Sequence, residues 1–142
     1  MPSEDRDRDP TTVRSLAVTA EDVVNAFVYT RENPGQAVLR ATPPFHGRMR
    51  ARLHVYRVDD SPATGAVHLE AAALLDDEIV AAYPTLAEVE QRLDGEASAE
   101  TVREQRADAL EAWAERARES ILESATLETA NGTHRVSVRT LG

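Results

Sequence analysis

One stretch of the chain, residues 48–56, alternates polar and apolar side chains without a break. A period of two places successive side chains on opposite faces of a strand. We therefore predict one strand here, with one face in solvent and the other against a core. The solvent face would carry Arg48, Arg50 and Arg52, and the core face Met49, Ala51 and Leu53.

Local signals divide the rest of the chain into further elements. Thr19 has the side chain and the acidic neighbours of a helix N-cap, and Asn33-Pro34-Gly35 ends that helix. Asn131-Gly132 is typical of a tight hairpin turn. Alternating segments predict strands at residues 37–42, 66–70, 127–129 and 133–139.

Helical spacing and capping boxes predict three more helices. The first occupies residues 71–83 and ends before Pro84. The second begins at Thr85-x-x-Glu88 and ends near Gly95. A box at Thr101-x-x-Glu104 marks the start of the longest helix, about residues 99–124, with Trp113 on its core stripe.

The sum is an α+β fold in a single domain, residues 16–142, preceded by a disordered charged tail, residues 1–15. We expect a mostly antiparallel sheet of about five strands with three to four helices packed on one face. The segment 66–70 should pair with the strand at 48–56 as a hairpin. In that register Tyr56 faces His68, and His54 faces Glu70.

The charged residues of the chain are unusual. Asp and Glu number 25, the basic residues number 16, and the net charge is −9. Every basic residue is Arg, although Lys is among the commonest residues of ordinary proteins. A GC-rich genome and a cytoplasm with molar salt together explain this composition, so we expect a haloarchaeal protein. A GC-rich mesophilic bacterium is the alternative origin.

Some classes of protein are disfavoured by what the sequence lacks. There is no Cys, so disulfides, Cys-based metal sites and thiol nucleophiles are excluded. No apolar run approaches the roughly 20 residues of a membrane helix. The glycines form neither a P-loop nor a dinucleotide fingerprint. We expect a cytoplasmic protein that uses no cofactor and does not bind membranes.

Arginines on the predicted sheet face are the main candidate site. Three guanidinium groups on one strand, roughly 6.5–7 Å apart, are costly side by side unless an anion lies over them. Arg binds phosphate in a bidentate manner, and Tyr56 could add base stacking. A solvent face paired internally with Asp and Glu would give the same sequence. The candidate anion-binding residues are Arg40, His46, Arg48, Arg50, Arg52, Arg135 and Arg139.

A second candidate site follows from the predicted hairpin register. It would bring His54, His68 and Glu70 together, and two imidazoles with a carboxylate can ligate a metal or exchange protons. A surface hydrogen bond between His and Glu is the ordinary alternative.

Three segments carry a resemblance to a known family. They are Phe27–Arg31, Ala41–Val55 and Glu111–Trp113, and they resemble a family of small haloarchaeal proteins of unknown function. The resemblance covers nearly the whole chain after the charged tail. It implies no activity, substrate or site.

The functional expectation is a non-catalytic binding module whose arginines contact nucleic acid or a phosphorylated ligand. The alternative is a protein–protein interaction module, such as a homodimer. A small metal-dependent enzyme is the third hypothesis.

Overall fold

A computed structural model describes residues 7–141, which form seven strands and five α-helices in one α+β domain. The strands are β1 Ser15–Thr19, β2 Gln36–Ala41, β3 Arg48–Arg50, β4 Arg52–Tyr56, β5 Val67–Glu70, β6 Ser124–Thr129 and β7 Gly132–Leu141. The helices are α1 Ala20–Glu32, α2 Ser61–Thr64, α3 Asp77–Ala81, α4 Leu86–Arg92 and α5 Ala99–Arg118. Short 3-10 helices occupy Pro10–Thr12 and Ala71–Leu74.

The strands form two sheets rather than the single sheet that was predicted. The first sheet has four strands in the order β3-β1-β7-β6. It is mixed, because β1 runs parallel to both neighbours whereas β6 and β7 are antiparallel. The second sheet has the order β4-β2-β5 and is antiparallel throughout. The α+β prediction is therefore confirmed, and the single, mostly antiparallel sheet is wrong.

The predicted strand at residues 48–56 changes sheets at Ala51. Arg50 is in register with Ala17 in the first sheet, and Arg52 is in register with Arg40 in the second. Ala51 lies between them, almost completely buried, and its N–H donates to Ala17 O at 2.9 Å. Period-two alternation specifies side-chain direction but not the partner strand, so it could not reveal this change.

The predicted hairpin between residues 48–56 and 66–70 is also wrong, because β2 lies between β4 and β5. Ala37, Val38 and Leu39 are three consecutive buried residues of β2. Consecutive buried residues are typical of a strand covered on both faces. This run of apolar residues was the available signal that β2 is a central strand.

The core is closed by α1 and α5. Phe27 on α1 and Trp113 on α5 lie with ring centroids 5.1 Å apart, and Tyr83 contacts both rings. The indole N–H of Trp113 donates to Ile79 O at 2.7 Å. The prediction that Trp113 is a core residue is confirmed.

Two predicted helices are shorter than expected. Residues 71–83 divide into the 3-10 helix and α3, because Leu75 forms an antiparallel bridge with Ile121. The same bridge ends α5 at Arg118 rather than near residue 124. The N–H of Leu122 then donates to Leu74 O at 2.9 Å, which ties the end of α5 to the 3-10 helix.

The start of α5 is capped by Ser98 rather than by the predicted box at Thr101. Ser98 Oγ accepts from the N–H of Thr101 at 3.1 Å. We expect Ser98→Ala to lower the free energy of unfolding by about 0.5–2 kcal/mol, the usual cost of losing an N-cap. Urea unfolding followed by circular dichroism measures it. Thr101→Ala is the control, because it keeps the bond from the backbone N–H to Ser98 Oγ and removes only the hydroxyl to which Ser98 Oγ donates at 3.0 Å; an equal cost for that variant would contradict the assignment.

The hydrophobic core extends into the segment that was predicted as a tail. Val13 is a core residue, and β1 begins at Ser15. Residues 1–6 of the predicted tail lie outside the described residues. None of the helices between residues 7 and 141 has the length and apolar character needed to cross a membrane.

Candidate arginine face and histidine cluster

The outer face of the first sheet carries arginines from two strands. Leu16 and Val18 of β1 point into the core, so Ser15 and Ala17 lie on the opposite face. Arg50 of β3 and Arg139 of β7 are both in register with Ala17. Similarly, Arg48 of β3 and Ser137 of β7 are both in register with Ser15. We call this surface the arginine face and define it by Arg48, Arg50, Arg135 and Arg139.

Within residues 7–141 no carboxylate forms an ion pair with an arginine of this face. Arg135 Nη2 donates to Ser124 Oγ at 2.8 Å, a neutral partner. Arg50 Nε is buried and has no hydrogen-bond partner in the described part of the chain. Among residues 7–141, the arginines of this face therefore have no acidic partner.

The arginine face ends in an open depression of about 590 Å³ beside β3. Arg14 and Arg48 contribute its charge, and Ser15 and Gly47 contribute to its wall. The carbonyl oxygen of Gly47 accepts from the N–H groups of Arg14 and Ser15, which holds the start of β3 beside β1. Sequence reasoning missed Arg14, because it lay in the segment predicted as a tail.

Two arginines of the predicted row lie elsewhere. Arg40 and Arg52 are neighbours on the outer face of the second sheet. Arg40 is occupied: its Nη1 lies 2.7 Å from His54 Nε2 and 3.4 Å from Asp60 Oδ1, and its Nη2 lies 3.4 Å from Thr64 Oγ1. The structure thus divides the predicted row between two sheets.

Two other predicted contributors do not belong to the strands that form the arginine face. His46 is exposed in the loop before β3, where its backbone N–H donates to Met49 Sδ at 3.4 Å. Tyr56 belongs to β4 of the second sheet. The aromatic ring that was expected to stack beside the arginines is therefore on a different sheet.

Rings from β4 and β5 meet across β2 on the outer face of the second sheet. His68 lies with its ring centroid 5.7 Å from that of His54 and 5.2 Å from that of Tyr56. These rings approach each other although their strands are not adjacent, because both strands flank β2. The predicted meeting of the two histidines is confirmed, but the register that was used to predict it is wrong.

The carboxylate of this cluster is Asp60 rather than Glu70. One ligand atom from each of His54, Asp60 and His68 lies within 4.8 Å of the others. Glu70 is exposed and in register with Val38. We call His54, Asp60 and His68 the histidine cluster. Sequence reasoning missed Asp60 because the loop that carries it was assigned only as a turn.

Burial controls the protonation of His68. It lowers the pKa of His68 below the ordinary value, against the opposing attraction of Asp59, and the nearby Arg40 lowers the pKa further. Both ring nitrogens of His68 are buried and lack a hydrogen-bond partner among residues 7–141. Tyr56 has a raised pKa, first because of burial and then because of the negative charges of Asp59 and Glu70.

Comparison with known protein families identifies a family that covers nearly the whole chain. The sequence profile described as Domain of unknown function (DUF8009) matches residues 2–142. No curated protein and no solved structure matches the chain. The predicted resemblance to a family of unknown function is confirmed.

Proposed function

The chain belongs to the family described as Domain of unknown function (DUF8009), and we propose that it is a non-catalytic module that binds phosphate groups of a nucleic acid on its arginine face. The observation that carries this proposal is the convergence of Arg48, Arg50, Arg135 and Arg139 on one solvent-facing surface without a carboxylate partner in the described part of the chain.

The spacing of the face suits an extended polyanion. Arg50 and Arg139 flank Ala17 on neighbouring strands, so their backbones are about 9–10 Å apart, twice the strand spacing. Guanidinium groups reach phosphates by paired N–H donors, which are charge-assisted hydrogen bonds. A face of this kind contacts several phosphates of one strand.

The chemistry of the face favours binding without sequence preference. No aromatic side chain belongs to the outer face of β1, β3 or β7. Sequence-specific recognition of single strands depends on base stacking and on contacts with base edges, and this face offers no ring for stacking. Phosphate contacts position a nucleic acid but do not read its bases. We therefore expect similar affinity for strands of different sequence and equal length.

The acidic, lysine-free composition belongs to the same proposal. We propose that the chain works in a cytoplasm with molar salt, where the Debye length is about 3 Å at 1 M and charges act only on contact. Under that condition a net charge of −9 does not repel a polyanion at a distance. Local guanidinium contacts then decide binding.

Replacing one arginine of the face tests the proposal. We expect Arg139→Gln to raise the Kd for a fluorescein-labelled oligouridylate by about tenfold, the effect of losing one charge-assisted contact. The logarithm of the association constant should also fall less steeply with the logarithm of the salt concentration. The change in slope should correspond to the loss of about one phosphate contact. Fluorescence anisotropy over a series of KCl concentrations measures both, within the range in which circular dichroism shows folded protein.

Two variants serve as matched controls for this experiment. Arg103→Gln removes an exposed arginine of α5, and Arg52→Gln removes one from the second sheet. Both should leave the Kd unchanged. Equal weakening by Arg139→Gln and Arg103→Gln would show attraction by overall charge only, and wild-type protein that binds no oligonucleotide in any KCl concentration would end the proposal.

A further inference from the structure

We propose that the histidine cluster binds one divalent metal ion of the zinc class, with His54, Asp60 and His68 as its protein ligands. The site is built on the second sheet, away from the arginine face. It does not depend on the proposed phosphate binding, and either proposal can fail without the other.

The donor set selects the class of metal. Two imidazoles and one carboxylate suit Zn²⁺ and neighbouring transition metals, whereas Mg²⁺ and Ca²⁺ prefer oxygen ligands. Three protein ligands also match zinc sites that keep an open position. The chain has no Cys, so a histidine and carboxylate set is the form that a zinc site can take in it.

The distances are close to those that a metal needs. The three ligand atoms lie within 4.8 Å of one another. Around a tetrahedral Zn²⁺ neighbouring ligand atoms are about 3.4 Å apart, as follows from bonds of about 2.0–2.1 Å. Asp60 precedes α2 in an exposed loop, and about half of its side chain is accessible. A small movement of this loop brings its carboxylate to the histidines.

His68 carries the strongest indication of an additional partner. Its side chain is 11% exposed, and neither ring nitrogen has a hydrogen-bond partner among residues 7–141. Buried polar atoms in proteins are nearly always satisfied. Asp59 Oδ1 lies 3.6 Å from Nδ1 of this ring. A carboxylate hydrogen-bonded to one ring nitrogen orients a ligating imidazole, so closing this 3.6 Å gap would leave Nε2 for the metal.

Arg40 competes with the metal for the same ligands. Its Nη1 contacts His54 Nε2 at 2.7 Å and Asp60 Oδ1 at 3.4 Å. A guanidinium group beside a divalent cation is repelled, so metal binding requires Arg40 to withdraw. Because Arg40 competes with the metal, replacing Arg40 should raise the affinity for the metal rather than lower it.

Solvent reaches the cluster through a neighbouring cleft of about 340 Å³. His68 lines this cleft together with Tyr56, Glu70 and Glu128. A metal ion bound to the three ligands could therefore enter and exchange from that side.

Titration of Zn²⁺ into the full chain, previously treated with a chelator, tests the proposal by isothermal calorimetry. We expect one ion per chain for the wild type and for His46→Ala, which removes an exposed histidine outside the cluster. His54→Ala and His68→Ala should abolish binding. Arg40→Gln should bind at least about tenfold more tightly, the scale on which groups around a metal tune affinity.

If a histidine variant does not fold, Asp60→Asn tests the metal site instead. The side chain of Asp60 is in an exposed loop, so this variant should keep the fold. Loss of Zn²⁺ binding in this folded variant supports the site. Unchanged binding in Asp60→Asn, or no binding by the wild type, overturns it. Co²⁺ provides a second readout, since four-coordinate Co²⁺ absorbs visible light more strongly than octahedral aqueous Co²⁺, and Asp60→Asn should remove this absorption.

Discussion

Trp113→Ala should lower the free energy of unfolding by about 3–5 kcal/mol, the range for removing a buried aromatic side chain. Trp113 is 1% exposed and is among the largest fully buried side chains. Its ring contacts Phe27 and Tyr83, with centroids 5.1 and 5.0 Å away. The deletion therefore removes the aromatic contacts of α5 with α1 and with the segment before α4, and leaves the ion pairs Arg106–Glu32 and Arg118–Glu21 between the two helices.

The hydrogen bond of the indole adds to this cost. Ile79 O accepts from Trp113 Nε1 at 2.7 Å, and the variant would leave that carbonyl with only the longer bond from the N–H of Ala82 at 3.2 Å. Losing one hydrogen bond of this kind costs about 0.5–1.5 kcal/mol. Trp113→Phe keeps an aromatic ring in the core but loses the N–H donor. Its free energy of unfolding should therefore lie between those of the wild type and Trp113→Ala.

Urea unfolding at fixed KCl concentration, followed by circular dichroism, measures both variants. Glu111→Ala is the control, because Glu111 is exposed on the same helix and its replacement should change stability by less than about 0.5 kcal/mol. If Trp113→Ala costs no more than this control, α5 does not pack on α1 as described.

Features that depend on near neighbours in the chain could be predicted. Thr19 caps α1, and its Oγ1 accepts from the N–H of Asp22 at 3.1 Å. The hairpin predicted at Asn131-Gly132 is present, although its two turn residues are Ala130 and Asn131; Gly132 begins β7 with a φ of 113°, which favours glycine. Each signal acts within a few residues, so the sequence around it contains the whole cause.

Partners of the strands could not be predicted in the same way. Residues 48–56 keep one alternation throughout, yet β1 pairs with the first part and β2 with the second. β1 was not recognised as a strand because it is only five residues long and runs directly into the N-cap of α1. Leu16 and Val18 were its signal, an alternating apolar pair that is too short to separate from a loop.

The candidate sites follow the same division. Arg48 and Arg50 share a face because they are two residues apart on one strand, which the alternation predicts. Arg139 joins them only because β1 lies between β3 and β7. Arg52 leaves them because the chain enters the second sheet after Ala51. The residue types were visible in the sequence, but the strand order selects which of them act together.

Ala17→Glu should abolish most phosphate binding without damaging the fold. Ala17 is in register with both Arg50 and Arg139, is not fully buried, and lies on the outer face of a central strand. A carboxylate at this position would be placed between two guanidinium groups that have no acidic partner among residues 7–141. Opposite charges on adjacent strands attract, so the introduced carboxylate would occupy the donors that phosphate needs.

We expect this one substitution to raise the Kd for the labelled oligouridylate by about 100-fold or more, because two charge-assisted contacts of about 1.5–3 kcal/mol each are lost. Ala17→Gln is the matched control: it has nearly the same shape and no charge, and should weaken binding by much less. The melting temperature of Ala17→Glu should equal or exceed that of Ala17→Gln, since the new carboxylate relieves repulsion between the arginines. Equal affinities for these two variants would show that phosphate binds elsewhere, and the arginine face would then be only a solvent-exposed surface.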